Sequence, residues 1–302
     1  MFEKVNLLVD NKNPLYNTYV EVDSIKTKWY KVSEFNMINT NAKDTLFFRT
    51  EFKGGKAGED FYNLNLYHTI DVNKNSVVGL QRSELNFKNY LWYLNENNEN
   101  DNKIVFDKTV QNFYFENIKM THEEQIINLL GEIRGENYKD LELFFKDVNI
   151  GKVMPAIEGL VVDGVLNGNI NFKQINEELR PASTLEISDL LVNNIPLGNL
   201  DVEVKGDDTF RKFLVNTTLT HNDLESLNIT GNLEVVNKET QMDLDFRLND
   251  FNIGAFSSFG GDVISNIRGL VSGTANFEGT LTEPEMNGRL FLKNAGLTVP
   301  YL

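Results

Sequence analysis

Apolar and polar residues alternate along most of this chain. The segment 242–249 reads M-D-L-D-F-R-L-N, and the same period of two appears in 213–219 and 271–277 and around Phe113 and Leu143. Side chains on a strand point alternately to its two faces, so this period is typical of strands with one apolar and one polar face. Clusters of Asn, Asp and Gly interrupt the pattern about every ten residues, as hairpin turns do. The pattern predicts an all-β fold.

Helical patterning is weak by comparison. The segment 121–133, T-H-E-E-Q-I-I-N-L-L-G-E-I, fits either a short amphipathic helix or two strands. The segments 149–160 and 252–261 place Ile, Val and Phe on one side of a helical projection. We therefore expect very short helices in these two places and strands almost everywhere else.

An internal repeat of about 100 residues runs through the sequence. D-V-N-I-G at 147–151 matches D-F-N-I-G at 250–254, and G-V-L-N-G-N-I-N-F at 164–172 matches G-L-V-S-G-T-A-N-F at 269–277. Repeated supersecondary units stack on their neighbours, so the repeat predicts one continuous elongated β array. The expected units cover about 1–110, 111–210 and 211–302. Because strand patterning already begins at Phe2 and continues to the last residue, we expect an internal segment of a longer chain.

Composition narrows the classes of function. The net charge of −15 disfavours nucleic acid as a partner, because phosphate contacts need clustered Lys and Arg. With no cysteine, disulfides and thiolate metal sites are excluded. Asparagine supplies roughly one residue in seven, which suits turns because its side chain bonds to nearby backbone and tolerates positive φ.

Residue types that carry chemistry are scarce. The three histidines are His68, His122 and His221, and the last two recur at the repeat spacing in T-H-E-E and T-H-N-D, which predicts turn positions and not a catalytic pair. The segment 71–79, D-V-N-K-N-S-V-V-G, lacks the glycine and terminal Glu of a calcium loop, so we expect a hairpin turn there. We predict that the chain is not an enzyme and uses neither a cofactor nor a metal.

The apolar strand faces remain as the candidate functional feature. Such faces either pack against each other as a dry core or line a long open groove; a core is the commoner fate. The opposite face of the same strands is expected to carry Asp243, Asp245, Arg247, Glu278, Arg289 and Phe291. If a groove exists, its predicted lining is Phe113, Phe115, Leu143, Phe145, Phe213, Val215, Leu244, Phe246, Leu248, Phe277, Leu290 and Leu292.

A glycine-spaced phrase closes the chain. The segment 266–302, N-I-R-G-L-V-S-G-T-A-N-F-E-G-T-L-T-E-P-E-M-N-G-R-L-F-L-K-N-A-G-L-T-V-P-Y-L, resembles the conserved domain of the TamB family of translocation and assembly module proteins. Segments 188–207 and 76–95 are similar to phrases of the bacteroidete branch of that family. The matching positions are Gly269, Gly273, Gly279, Thr280, Pro284, Gly288, Leu290, Leu292, Ala295, Leu297, Val299 and Pro300.

The resemblance implies a fold and a function. The fold would be a β-taco, a long U-shaped sheet whose groove is lined by apolar side chains. Such proteins span the periplasm, carry phospholipid between the inner and outer membranes, and support assembly of outer-membrane proteins with a BamA-like (TamA-type) β-barrel partner. Family members also carry an N-terminal inner-membrane helix and continue beyond V-P-Y-L. An envelope scaffold that guides barrel proteins by strand addition, without conducting lipid, is the alternative.

Overall fold

Antiparallel strands account for nearly all of the structure. The computed structural model describes residues 2–10, 12, 17–26, 31–55, 58–154, 157, 159–176, 178–179, 182–206, 212–236, 239–260, 265–280 and 283–299. The prediction of an all-β fold with very short helices is confirmed. No helix within these ranges has the length and apolar character needed to cross a membrane. The chain divides into two compact units, unit 1 (Met1–Leu143) and unit 2 (Phe144–Leu302).

Unit 1 is a meander of short and long strands. Its strands are β1 (Phe2–Val9), β2 (Thr18–Lys26), β3 (Lys31–Ala42), β4 (Thr45–Gly54), β5 (Asp60–Ile70), β6 (Ser76–Leu80), β7 (Ser83–Phe87), β8 (Tyr90–Leu94), β9 (Lys103–Phe106), β10 (Asn112–His122), β11 (Gln125–Arg134) and the first half of β12 (Tyr138–Asn149). Each strand from β1 to β5 pairs antiparallel with the next.

Two pairs of short strands lie end to end between β5 and β10. β5 pairs with both β6 and β7, and β10 with both β9 and β8; β6 pairs with β9 and β7 with β8. Where the two pairs of short strands meet end to end, buried asparagine side chains form hydrogen bonds with the backbone groups that the strands leave unpaired. Asn95 Nδ2 donates to the Leu80 carbonyl at 2.6 Å, and Asn102 Oδ1 accepts from the Lys119 amide at 3.0 Å. The break therefore keeps the backbone groups of the sheet paired.

Unit 2 repeats one motif, the antiparallel hairpin. After β12 come α1 (Ile150–Val153), β13 (Val162–Ile175), β14 (Glu178–Leu179), β15 (Ala182–Val192), β16 (Ile195–Gly206), β17 (Lys212–His221), β18 (Leu224–Val236), β19 (Glu239–Asn252), a 3-10 helix (Ile253–Gly260), β20 (Ser265–Thr280) and β21 (Pro284–Thr298). β13 pairs with β15, and each strand from β15 to β20 pairs with the next.

The two hairpins that contain the repeated T-H pairs have the same geometry. His122 ends β10 opposite Gln125, and His221 ends β17 opposite Leu224, so each histidine immediately precedes a two-residue turn. The segment 121–133 is thus two strands, the second of its two predicted alternatives. Both histidines lie at turns as predicted, and the Nδ1 atom of His122 lies 2.6 Å from the Leu91 carbonyl oxygen.

The repeated D-x-N-I-G segments also adopt equivalent structures. Each ends a strand and begins a helix, α1 after β12 and the 3-10 helix after β19. Asp147 and Asp250 both have positive φ, 52° and 46°. The first helix is shorter than the predicted segment 149–160, because α1 ends at Val153 and residues 155, 156 and 158 lie outside the described residues. The boundaries of the three repeat units stay a prediction.

Asparagine and aspartate build many of the turns. Asn193, Asn194 and Asn222 adopt positive φ in two-residue turns between strands. The segment 71–75 forms the predicted hairpin turn between β5 and β6, where Asp71 Oδ1 accepts from the Asn75 amide at 2.8 Å.

Asp107 organises the turn between β9 and β10. Its carboxylate accepts from Thr109 Oγ1 at 2.6 Å, the Gln111 amide at 3.0 Å, and the Asn112 amide and Nδ2 at 3.2 and 2.8 Å. These hydrogen bonds, that from Thr109 first, hold the pKa of Asp107 well below its ordinary value.

Candidate functional site: an apolar sheet face

One face of the unit 2 sheet is apolar across eight strands. Directly opposed residues of antiparallel strands point to the same face, so the register defines this surface residue by residue. We call it the apolar face. It comprises Leu166, Ile170, Leu185, Ile187, Leu200, Val202, Val204, Phe213, Val215, Leu219, Leu227, Ile229, Leu233, Met242, Leu244, Phe246, Leu248, Ala275, Phe277, Met286, Leu290 and Leu292 with intervening Gly, Ser and Thr.

The opposite face of these strands is polar. Asp243, Asp245 and Arg247 alternate with the apolar residues of β19 and are exposed, and Asn276 Nδ2 bridges the two aspartates at 3.0 and 3.1 Å. Leu214 and Phe291 are apolar exceptions on this face, with 51% and 62% of their surfaces exposed. The sheet thus has one polar and one apolar face. The apolar face can be covered by other parts of the protein, covered by a ligand, or left exposed.

At one end of the strands the apolar face is covered. Leu219 is 2% exposed and packs in a buried cluster with Leu190, Val192, Leu197, Phe251 and Ala255. The 3-10 helix contributes Ala255, which is fully buried, and Leu248 packs against the edge of the cluster. We call this the closed end; its residues form an ordinary core.

Side-chain hydrogen bonds of one asparagine hold the 3-10 helix over the closed end. Asn193, in the β15–β16 turn, donates through Nδ2 to the Ala255 carbonyl at 2.8 Å and to Ser258 Oγ at 2.9 Å. Its Oδ1 accepts from the Val161 amide at 2.9 Å. A single turn residue therefore ties the 3-10 helix and the loop before β13 to the hairpin.

Toward the other end of the strands the apolar side chains are partly exposed. Leu244 and Phe277 oppose each other across β19 and β20, and neither is fully buried. The Phe246 and Phe277 rings contact each other with centroids 4.6 Å apart at 54°. On β21, Met286 is 57% exposed. We call this the open end, and it is where the face could receive a ligand.

Glycines bring the strands close together within the face. Gly231 opposes Val215 on one side and Leu244 on the other, with a φ of +150° that non-glycine residues rarely adopt. A Cβ added there would lie 2.1 Å from the Asp243 carbonyl oxygen. Gly131 of unit 1, one repeat earlier, opposes Phe115 and has φ +127°. Each glycine fixes the close approach of two strands beside a predicted lining residue.

In unit 1, too, the apolar side chains are buried at one end of the strands and partly exposed at the other. Phe113 and Phe115 on β10 are partly exposed, and the Phe113 ring stacks on Phe106 with centroids 5.7 Å apart. Trp92 lies on the same face toward the T-H turn and is fully buried, beside the rings of Tyr90 and His122. The apolar surface near the T-H turn is therefore core in both units.

The predicted lining residues fall into three groups. Val215, Leu244, Phe246, Phe277 and Leu290 lie on the apolar face away from the buried cluster, and Phe213 lies there too but is only 9% exposed. Leu248 borders the closed end, and Leu292, which is 62% exposed, opposes Val271, which is buried. Leu143 and Phe145 are partly exposed on β12, on either side of Phe144, which is exposed.

Sequence reasoning missed the residues that close one end. Nothing in the sequence distinguishes Asn193 from the many other asparagines, or Ala255 from other small apolar residues. Within the described segments, no three His, Asp or Glu side chains come together so that they could hold a metal ion.

Comparisons with known proteins give no family assignment: no family model matches the chain, and no curated protein or solved structure matches it significantly.

Proposed function

We propose that this chain binds phospholipids by their acyl chains on the apolar face and conducts them between the inner and outer membranes, without catalysing a reaction. The observation that carries the proposal is the apolar face itself. Across eight strands it has no charged side chain between the closed and open ends, and many of its side chains are partly exposed.

The energetics of such a surface suit transfer. An acyl chain gains about 0.8 kcal/mol per buried CH₂ wherever the surface is equally apolar, so neighbouring positions have similar free energy. Strands lie about 4.8 Å apart, so eight of them provide a path of about 34 Å. Half a bilayer core is about 15 Å thick, so one acyl chain is shorter than the path and can occupy several positions along it.

The resemblance of 266–302 to the TamB family supports the cellular setting. On that basis the chain would belong to a periplasmic bridge, anchored in the inner membrane by an N-terminal helix and working with a BamA-like (TamA-type) outer-membrane barrel. The partly exposed apolar face is what such a bridge would require.

Native mass spectrometry of the purified chain, followed by lipid extraction, tests the proposal. We expect co-purified phospholipid that a Phe246→Ala/Phe277→Ala variant retains several-fold less, because both rings lie toward the open end. Absence of lipid from the native chain after incubation with phospholipid vesicles would refute the proposal.

A scaffold that acts by strand addition is the second candidate. β21 is exposed along nearly its whole length and pairs only with β20 among the described residues. A strand with one unpaired edge can template another strand. A chain that binds unfolded barrel strands but no lipid would favour this alternative.

A further inference from the structure

A cleft of about 500 Å³ lies beside the 3-10 helix at the closed end. Its walls come from that helix, from Ile195 at the start of β16, from Asn252 at the end of β19, from residues 266–270 of β20 and from Asn294 of β21. On one side the helix and β20 are joined, because Ser257 Oγ accepts from the amide of residue 267 at 2.8 Å. The volume lies within the range of small-molecule sites.

The cleft lies apart from the proposed lipid path. Leu270, which lines the cleft, opposes Asn252 on one side and Lys293 on the other. Its neighbour Val271 opposes Phe251, and both of these are buried. Successive residues of a strand point to opposite faces, so Leu270 points away from the side on which Phe251 joins the closed-end cluster. A molecule in the cleft would therefore leave the apolar face free.

Arg268 supplies a positive charge to this cleft. Its guanidinium donates one long hydrogen bond, at 3.4 Å, to the Asn266 carbonyl, and no carboxylate of the described residues forms a salt bridge with it. The carboxylate of Asp250 pairs with Lys293 at 3.7 Å. A guanidinium has five N–H donors, so most of those of Arg268 are available to a ligand.

Two glycines give the guanidinium a defined place. Gly296 opposes Arg268 across β20 and β21, and a Cβ added at Gly296 would lie 2.7 Å from both Cζ and Nη2 of the arginine. Gly269 has a φ of +126°, and a Cβ there would lie 2.6 Å from Ala295 Cα. The arginine side chain therefore occupies space that exists only because the neighbouring strand carries no side chain at that point.

The rest of the lining combines amide and apolar groups. Three asparagines and three aliphatic residues line it: Asn252, Asn266, Asn294, Ile195, Ile267 and Leu270. A guanidinium binds carboxylates and phosphates through two parallel hydrogen bonds. A phosphate has more acceptor oxygens than a carboxylate, so amide groups beside the guanidinium favour phosphate. The aliphatic residues offer a surface for an apolar substituent.

We propose that this cleft, which we call the Arg268 cleft, binds the phosphate group of an anionic amphiphile. The phosphate lies on the guanidinium, and its apolar substituent lies against the aliphatic walls. The cleft is a second site, and its occupancy does not depend on lipid conduction along the apolar face. Because the chain carries a net charge of −15, an anion is repelled from most of its surface and attracted where an unpaired cation lies.

Binding should be weak for a free ion and stronger for an amphiphile. Arg268 is exposed, so we expect a Kd for inorganic phosphate in roughly the millimolar range, rising with salt. Complete burial of one methylene strengthens binding about fourfold. A short acyl chain that buries the equivalent of two methylenes should therefore bind about tenfold more tightly than the free ion.

Titrations with two probes distinguish a free ion from an amphiphile. The native chain is titrated with inorganic phosphate and with dihexanoyl phosphatidic acid, a soluble short-chain lipid. Backbone amide NMR shifts of residues 266–270 and 294–296 report on the Arg268 cleft, and those of residues 242–248 report on the apolar face. We expect both probes to shift the amides of the cleft, with phosphatidic acid bound about tenfold more tightly.

Two substitutions test the guanidinium itself. Arg268→Gln removes the charge and should abolish the shifts in the cleft. Gly296→Ala keeps the charge, but the added methyl group displaces the end of the flexible arginine side chain, so binding should weaken several-fold while urea unfolding changes little. Arg247→Gln, on the polar face of β19, removes the same charge elsewhere and is the control; it should leave binding in the cleft unchanged.

The outcomes separate this inference from the proposed function. Absence of shifts in the cleft at tens of millimolar of either probe would overturn the inference. Equal affinity for the two probes would overturn the assignment of an amphiphile, and equal weakening by Arg247→Gln would reduce the effect to net charge and overturn the site. Long-chain lipid retained on the apolar face, measured by native mass spectrometry, should be the same in Arg268→Gln as in the native chain.

Discussion

The sharpest prediction compares one charge placed at the two ends of the apolar face. Leu219 is 2% exposed in the closed-end cluster, whereas Leu244 is partly exposed and opposes Gly231 and Phe277. Both are leucines on the same face of neighbouring hairpins. Leu219→Arg and Leu244→Arg therefore introduce the same side chain into a core and into the proposed lipid path.

The structure sets very different costs for the two substitutions. At Leu219 the change loses about 1.5–3 kcal/mol of apolar burial and adds an unpaired buried charge at several kcal/mol more. That sum approaches the ~5–15 kcal/mol by which ordinary domains are stable. At Leu244 the missing side chain of Gly231 leaves room for the arginine stem, and the guanidinium can reach water at the open end. The expected cost there is about 1 kcal/mol.

Urea unfolding and native mass spectrometry measure the two effects. We expect Leu219→Arg to unfold or aggregate, and Leu244→Arg to fold but retain several-fold less lipid, because acyl chains avoid a solvated charge. Asp245→Arg, on the polar face of the same strand, is the control and should fold with normal lipid retention. If Leu244→Arg destabilises as severely as Leu219→Arg, the open end is a core and the reasoning fails. A folded Leu244→Arg variant with undiminished lipid would place the path elsewhere.

Three further predictions test the elements that shape the face. Gly231→Ala should lower the free energy of unfolding by about 2–4 kcal/mol, because the added methyl group meets the Asp243 carbonyl oxygen and the backbone φ is strained for alanine. Gly135 has a φ of +59° and open space around it, so Gly135→Ala should lower this free energy by only about 1 kcal/mol. Urea unfolding measures both values. Asn193→Gly keeps the positive φ of the turn but removes the hydrogen bonds to the 3-10 helix, so amide hydrogen exchange of residues 253–260 should accelerate. Asn222→Gly, in the β17–β18 turn, is the control and should leave this exchange unchanged. Equal acceleration in both variants would show that Asn193 does not hold the 3-10 helix in place. For Asp107 the folded-state pKa is depressed, so its stabilisation is present above the unfolded value of about 3.9 and is lost as the pH falls through the folded value. The stability difference between the native chain and Asp107→Asn should therefore shrink between pH 6 and pH 2, and a constant difference would argue against the hydrogen bonds of the Asp107 carboxylate as the cause of the depressed pKa.

Local pattern was sufficient to predict the strands. The alternation in 242–249 places Leu244 and Phe246 on one face and Asp243 and Asp245 on the other, as the register shows. Period two is a property of the backbone, so it can be read without knowledge of partners. The T-H turns were predictable for the same reason, since turn chemistry is local.

Tertiary contacts that leave no local signal were not predictable. The paired short strands between β5 and β10 depend on where Asn95 and Asn102 meet distant backbone, at Leu80 and Lys119. Trp92 alternates with Leu91 and Tyr93 like any strand residue, and nothing in that pattern marks it as fully buried beside Tyr90 and His122. Burial depends on what lies above a face, and periodicity describes only the face.

The same limit explains why the sequence left groove and core undecided. Leu219 and Leu244 have the same side chain and the same strand pattern, yet one is core and the other is partly exposed. The difference comes from the segment that follows β19: Asn252 ends the strand, and the next eight residues form a helix that covers the closed end. In the matching place, Asn149 ends β12 and the segment that follows begins with the short helix α1. In chains of this kind, the length and hydrogen bonding of the segment after each N-I-G motif should decide how much of each apolar face stays uncovered. The width of a groove would then be determined by that segment and not by the strands.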